Sequence, residues 1–143
     1  MNILNIIIDK DGSNVLMYKN PLNNRYDFIY GHTLEMETPS DASTRVLEEV
    51  TKLTKEDIKL NFMKNETISK YTGECSTTYI SCGQLKKEYD VENIDNVKWV
   101  KMINPNPTIF KSIRGMGTYM YLQDAALFLR DREGGIIHVE NCY

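Results

Sequence analysis

Charged side chains whose spacing suits chemistry are concentrated between residues 35 and 49. Arg45 and Glu49 are four positions apart, so a helix would place them on one face as an ion pair. Glu48 lies about 100° around the same helix from Glu49. Carboxylates are also the side chains that hold hard divalent cations, which need several oxygen ligands. The segment therefore has the residue types for ordering ion pairs and for a metal site.

A helix that begins near Pro39 must position these residues. Thr38 is the predicted N-cap, Pro39 occupies the first helical position, and Asp41 can complete a capping box. One arc of the helix is apolar and is predicted to pack on a core: Ala42, Val46, Leu47, Val50 and Leu53. The other arc is polar and is predicted to face water or a ligand: Thr44, Arg45, Glu48, Glu49, Thr51 and Lys52.

The stretch from Gly31 to Leu53, GHTLEMETPSDASTRVLEEVTKL, resembles the Nudix box. That box reads Gly, five residues, Glu, seven residues, Arg-Glu-U-x-Glu-Glu-x-Gly-U, where U is a bulky aliphatic residue. The residues in register are Gly31, Glu37, Arg45, Leu47, Glu49 and Leu53. The residues that depart from it are Val46, Val50 and Lys52.

The resemblance implies a site in which helix carboxylates hold Mg²⁺ or Mn²⁺ on a nucleoside diphosphate linked to a group X. Here Val46 and Val50 replace two of three such carboxylates, and Glu49 keeps the third. Each lost carboxylate lowers the metal affinity and the charge that activates the phosphorus. We therefore expect weak metal binding, with Glu49 and Glu48 as the candidate catalytic residues. Gly31 and Glu37 keep structural roles, since the family's loop glutamate pairs with the arginine that Arg45 matches.

The strand and loop before the helix help to form the ligand cleft in Nudix folds. The candidates for contacting a base or phosphate are Arg25, Tyr26, Phe28, Tyr30, His32 and Arg45. For each aromatic residue, packing in the core is the alternative interpretation.

A second candidate metal ligand, beside Glu49, comes from the loop before the VKWVKM strand. Nudix chains often carry a carboxylate a few residues before such a tryptophan, and Asp95 is four positions before Trp99. In a loop with Glu88, Asp90 and Glu92, a solvated acid is the alternative. Trp99 itself is expected to anchor the core.

The remaining pattern predicts an α+β fold, a Nudix-like mixed sheet sandwiched between helices, as a single domain over residues 1–143. Strands are predicted over 2–9, 15–18, 26–30, 74–84 and 97–102, with one or two more between 58 and 68. A polar surface loop is predicted over 85–96. A second helix is predicted over 118–130, followed by a turn at 131–135 and a final short strand that contains His138.

Composition excludes several function classes. The net charge of −3 over 143 residues gives no electrostatic footprint for duplex nucleic acid or anionic lipid. No apolar run approaches the ~18 residues of a membrane-spanning helix. Three cysteines without metal-ligand spacing favour free thiols in a reducing compartment, so we expect a cytoplasmic protein. The sequence leaves a homodimer open.

Three functions compete at this point. The first is a binding protein for a small-molecule nucleotide, ADP-ribose-like or related, which needs no cofactor and acts as a sensor or sequestering protein. The second is a Mg²⁺- or Mn²⁺-dependent hydrolase whose metal ligands come from Glu48, Glu49, Glu35 or Asp95. The third is a structural or protein-interaction role in which the cleft is vestigial.

Overall fold

The computed structural model describes residues 1–22, 24–69, 71–102 and 117–133. In chain order the elements are β1 Asn2–Ile8, β2 Asn14–Lys19, β3 Tyr26–Asp27, β4 Ile29–His32, α1 Pro39–Thr51, β5 Asn61–Ser69, β6 Cys75–Gln84, β7 Val97–Lys101 and α2 Gly117–Glu133. The segments 103–116 and 134–143 lie outside the described residues, and so does the predicted final strand with His138.

The strands of the described segments form one mixed sheet in the order β3-β2-β1-β6-β5, with β4 paired to β1 and β7 paired to β2. The pairing of β1 with β6 is parallel, from Asn2 opposite Thr78 to Ile8 opposite Gln84. The other pairings are antiparallel, including the hairpin of β1 and β2, in which Ile8 lies opposite Val15. The isoleucine-rich β1 is therefore central, which agrees with its burial on both faces.

The two helices cover opposite faces of this sheet, because side chains alternate along each strand. One core layer packs on α2, with Ile6, Ile8, Met17, Phe28, Ile80, Cys82, Leu122, Ala125 and Leu129 among its members. The other packs on α1, with Ile7, Leu16, Ile29, Val46, Leu47, Leu53, Val97 and, partly buried, Trp99. The predicted mixed sheet between helices is confirmed.

Helix α1 begins as predicted. Thr38 is the N-cap, and its hydroxyl accepts a hydrogen bond of 3.2 Å from the Asp41 backbone N–H. Lys52 is the C-cap, directly after the last helical residue Thr51. Lys52 has φ 67°, in the left-handed region, and its backbone N–H donates to the Glu48 carbonyl. Lys52 occupies the position at which the Nudix box has glycine. That glycine suits a left-handed C-cap, because a side chain strains this conformation.

Several local predictions need correction. Thr51 was expected on the solvent face but is fully buried, and its hydroxyl donates to the Leu47 carbonyl at 2.7 Å. A buried threonine is tolerated there because this bond satisfies its polar group. Helix α2 continues to Glu133, through the start of the predicted turn. The strand predicted over 26–30 is divided into β3 and β4. The single strand β5 between α1 and β6 agrees with the one or two strands predicted there.

The loop between β6 and β7 is polar but contributes apolar anchors to the core. Leu85 and Val91 are buried in it, and the Trp99 indole N–H donates to the Tyr89 carbonyl at 2.9 Å. On the other side of the sheet, Lys64 of β5 lies 2.9 Å from the Asp124 carboxylate of α2. In the part of the chain that the structure describes, neither helix combines the length and apolarity needed to cross a bilayer.

Candidate functional site

Arg45 ties the loop before α1 to the helix. Its Nε and Nη2 donate to the two carboxylate oxygens of Glu37 at 2.9 and 3.0 Å, which is a bidentate pair. Nη2 also donates to the His32 carbonyl at 2.7 Å, and Nη1 donates to Glu49 at 3.1 Å. Four of the five guanidinium N–H groups are thereby used. Among the described residues, the fifth N–H of Arg45 has no acceptor.

Glu37 completes this network, which we call the Arg45 network: Arg45, Glu37, Glu49, the His32 carbonyl and the Leu34 N–H. The Leu34 backbone N–H donates to Glu37 at 3.0 Å. The hydrogen bond from Arg45, and then that from Leu34, lowers the pKa of the Glu37 carboxyl below its usual 4.5. The bond to Glu37 in turn raises the pKa of Arg45. The pair stays ionised at neutral pH and holds the loop in one conformation.

The two valines of the box are part of the core layer beneath α1. Val46 is 4% exposed, and a Cβ placed on Gly31 would lie only 2.6 Å from Val46 Cγ2. Gly31 therefore allows β4 to approach the helix at Val46. Val50 is partly buried and packs against the same layer. Both positions contribute hydrocarbon to packing and have no oxygen to offer a cation.

The carboxylates nearby do not assemble a metal site. Glu49 is 62% exposed at its side chain and is engaged by Arg45, and Glu48, Glu35 and Asp95 are exposed. Within the described segments, no group of three histidine, cysteine, aspartate or glutamate side chains is placed to hold a metal ion. Hard cations need several oxygens, so the donors present do not fit Mg²⁺ or Mn²⁺. The roles suggested for Glu49, Glu48 and Asp95 remain predictions.

The ligand candidates divide between surface and core. Phe28 is buried at 1% exposure among the residues beneath α2, so its interpretation as a ligand contact is wrong for this structure. Phe28 is a core residue because its side chain, between β3 and β4, packs in the apolar layer beneath α2. Tyr26 is half-buried beneath the Lys19 ammonium, 5.8 Å from its ring centroid. Arg25 and His32 are exposed.

Tyr30 lies beside residues that sequence reasoning missed. Its ring packs edge-on against Tyr18, with centroids 6.5 Å apart, and 36% of the residue is exposed. Its hydroxyl lies 3.5 Å from the Asn20 amide. Tyr18 and Asn20 lie on and after β2, and only the pairing of strands brings them to Tyr30. No local pattern identifies them.

Comparison with solved structures gives matches along nearly the whole chain. Dihydroneopterin triphosphate pyrophosphohydrolase from E. coli superposes with a TM-score of 0.70 at 16% identity, over 89% of this chain and 94% of that one. The Ap4A hydrolase of C. elegans superposes with a TM-score of 0.69 at 20% identity, over 90% and 96%. The NUDIX domain of Shewanella oneidensis NrtR, complexed with ADP ribose, gives 0.65 at 14% identity, over 90% and 86%.

Comparison of sequences gives no match, either to a protein-family model or to a curated protein. The structural matches nevertheless agree with the fold that the box resemblance implies. A shared arrangement of sheet and helices persists at identities where sequence comparison fails, because many sequences can fill one core. The chain therefore has the Nudix fold.

Proposed function

We propose that the protein binds a nucleoside-diphosphate-type ligand, ADP-ribose-like or a related nucleotide, with weak or no hydrolysis. Such a protein would act as a sensor or a sequestering protein. The observation that carries this proposal is the burial of Val46 against Gly31, at a box position where a metal-binding carboxylate is expected. The Arg45 network beside it remains complete.

Weak hydrolysis follows from the absence of the two carboxylates that Val46 and Val50 replace. A divalent cation on a diphosphate stabilises the charge that develops during attack by water, and it lowers the pKa of that water. Glu49 alone supplies too few oxygens to hold such an ion, and its carboxylate is shared with Arg45. The protein would therefore bind the ground state of the diphosphate better than it stabilises the transition state.

Binding itself needs no metal. Tyr30 is accessible for stacking on a base, which contributes roughly 1–3 kcal/mol per base. Lys19 lies over Tyr26 on the neighbouring strands, and Arg25 is in the preceding loop, so cationic groups lie near the aromatic rings. The NUDIX domain of NrtR, complexed with ADP ribose, shares this fold and supports the choice of ligand class.

The test measures binding and turnover on the same samples. The protein is mixed with ADP-ribose and with a dinucleoside polyphosphate, each with Mn²⁺ or with a chelator, and both the melting temperature and product release are followed. We expect stabilisation that is independent of metal, without product. Tyr30→Ala should weaken that stabilisation, whereas Tyr71→Ala, an exposed tyrosine distant in sequence, is the matched control.

The hydrolase is the alternative that this experiment can establish. Metal-dependent product release that disappears in Glu49→Gln would show that another oxygen has joined Glu49 in a displaced site. No response to any nucleotide would instead favour the structural or interaction role. Either result overturns the proposal.

A further inference from the structure

A cavity of about 200 Å³ opens on the flank of α1 that lies away from the Arg45 network. Ser40, Ser43, Thr44 and Leu47 contribute its helical wall. At 100° per residue, Ser40 and Leu47 lie about 140–180° around the helix from Arg45 and Glu49. The rest of the wall comes from β6 and from the segment that joins α1 to β5. No residue that lines the cavity belongs to the Arg45 network.

Buried hydroxyls line this cavity. Ser43 and Ser81 are each 2% exposed. Ser43 is well satisfied, because its hydroxyl donates to Asn5 Oδ1 at 3.0 Å. Among the described residues, the partner of the Ser81 hydroxyl is Ser43 Oγ at 3.5 Å, longer than the usual 2.5–3.0 Å of a hydroxyl hydrogen bond. Ser81 is therefore a buried hydroxyl with one long hydrogen bond, and it lines the cavity.

The charge at the cavity is of one sign. Two cationic residues, Lys55 and Lys59, line it, and none of the other lining residues that the structure describes is acidic. Both lysines are exposed, and neither forms an ion pair with any residue that the structure describes. In a chain whose net charge is −3, a cavity with cations alone attracts an anion.

One aromatic residue, Tyr79, lines the cavity, and a second, Phe62, packs against it. The two rings are stacked, with centroids 4.7 Å apart and planes at 23°. Phe62 is 48% exposed although it is apolar, so much of its ring area is open to solvent. An exposed ring of this kind is a platform on which another flat ring can stack.

Gly83 sets the shape of the cavity. A Cβ at this position would lie 2.6 Å from the Lys59 carbonyl oxygen and 3.0 Å from Ile58. Glycine therefore lets the segment before β5 lie directly on β6, which brings Lys59 towards Tyr79 and Ser81. The backbone oxygen cannot move aside as a flexible side chain would, so the approach depends on glycine.

We propose that this cavity is a binding site, separate from the Arg45 network, for a small ligand that joins a phosphate to a flat ring. A nucleoside monophosphate is the simplest ligand of that class. The volume is below the ~300–1,000 Å³ of pockets that hold drug-sized ligands, so it suits one small group while the ring rests on the Phe62–Tyr79 stack. The phosphate meets Lys55, Lys59 and the Ser81 hydroxyl. The site does not depend on the function proposed above.

The test is a titration of the ¹⁵N-labelled protein with adenosine 5′-monophosphate, followed by amide chemical shifts. We expect saturable shifts at Thr44, Tyr79 and Ser81, with those of Gly31 and Glu37 unchanged. Lys55→Gln with Lys59→Gln should weaken binding roughly threefold to tenfold. Phe62→Leu should weaken it roughly fivefold or more, since it removes the stacking ring. Ser81→Ala should weaken it with little change in unfolding by urea.

Matched controls keep the result specific. Lys86→Gln with Lys98→Gln removes the same charge from exposed lysines elsewhere and should leave the affinity unchanged. Inorganic phosphate should bind the wild type and Phe62→Leu equally, and adenosine should bind more weakly than the monophosphate. The proposal fails if the shifts map to Gly31–Glu37, if no shift saturates, or if the control pair weakens binding as much as the cavity pair does.

Discussion

The two halves of the stretch from Gly31 to Leu53 differ in what they retain. The first half, Gly31–Arg45, has the loop glutamate and the arginine of a Nudix box, joined by a bidentate ion pair. The second half, Val46–Leu53, has valines in place of two carboxylates and a lysine in place of the terminal glycine. The comparison teaches that the loop can be tied to the helix through Glu37 and Arg45 while the side chains at positions 46 and 50 are hydrocarbon.

The strongest challenge to this comparison is to restore the carboxylates. Val46→Glu with Val50→Glu should destabilise the protein by about 3 kcal/mol without metal, because position 46 is buried and would hold an uncompensated charge. Urea unfolding, with a chelator and with Mn²⁺, measures the change in the free energy of unfolding. We expect Mn²⁺ to recover part of the loss. Val46→Gln with Val50→Gln is the control, since it adds polar groups without charge and should not respond to Mn²⁺.

The contact between Gly31 and Val46 joins the two halves and can be tested next. Gly31→Ala should cost about 1–3 kcal/mol, because the new methyl group would overlap a stiff valine side chain at 2.6 Å. In a double-mutant cycle, Gly31→Ala with Val46→Ala should cost less than the sum of the single changes. If the losses in free energy of unfolding, measured with urea, are additive, the two side chains are not in steric conflict.

The lysine at the end of α1 predicts a gain in stability. Lys52→Gly should stabilise the protein by about 1 kcal/mol, because glycine adopts φ 67° without a side-chain penalty. Thermal unfolding measures the gain. Lys52→Ala controls for loss of the charge and should give no comparable increase. A Lys52→Gly variant less stable than the wild type would contradict the left-handed cap.

The smallest expected effect is a pH dependence from the first half of the box. The pKa of Glu37 is lowered by Arg45, so its contribution to stability is present above its unfolded value of about 4.5 and is lost as pH falls through the lower folded pKa. Glu37→Gln should remove this part of the acid dependence of unfolding. Glu35→Gln, at an exposed carboxylate of the same loop, removes the same charge and is the control. Equal effects of the two changes would contradict an origin in the pair of Glu37 with Arg45.

The sequence by itself determined the local features of this protein. Capping residues and a 3.6-residue period placed α1, because these interactions depend on residues close in sequence. The pair of Glu37 with Arg45 was expected from the resemblance to the Nudix box. Alternation and β-branched residues placed most strands. The Nudix fold followed from the box and is confirmed by structures that share at most 20% identity among those compared above.

Only the tertiary structure decided which side chains reach a site. Phe28 and Thr51 became core residues because of what packs over them from distant parts of the chain, and Tyr18 meets Tyr30 only through strand pairing. The cavity beside α1 unites Ser43, Lys59, Tyr79 and Ser81, which no local period connects. Burial and close approach depend on contacts between residues far apart in sequence, and a local pattern does not contain that information.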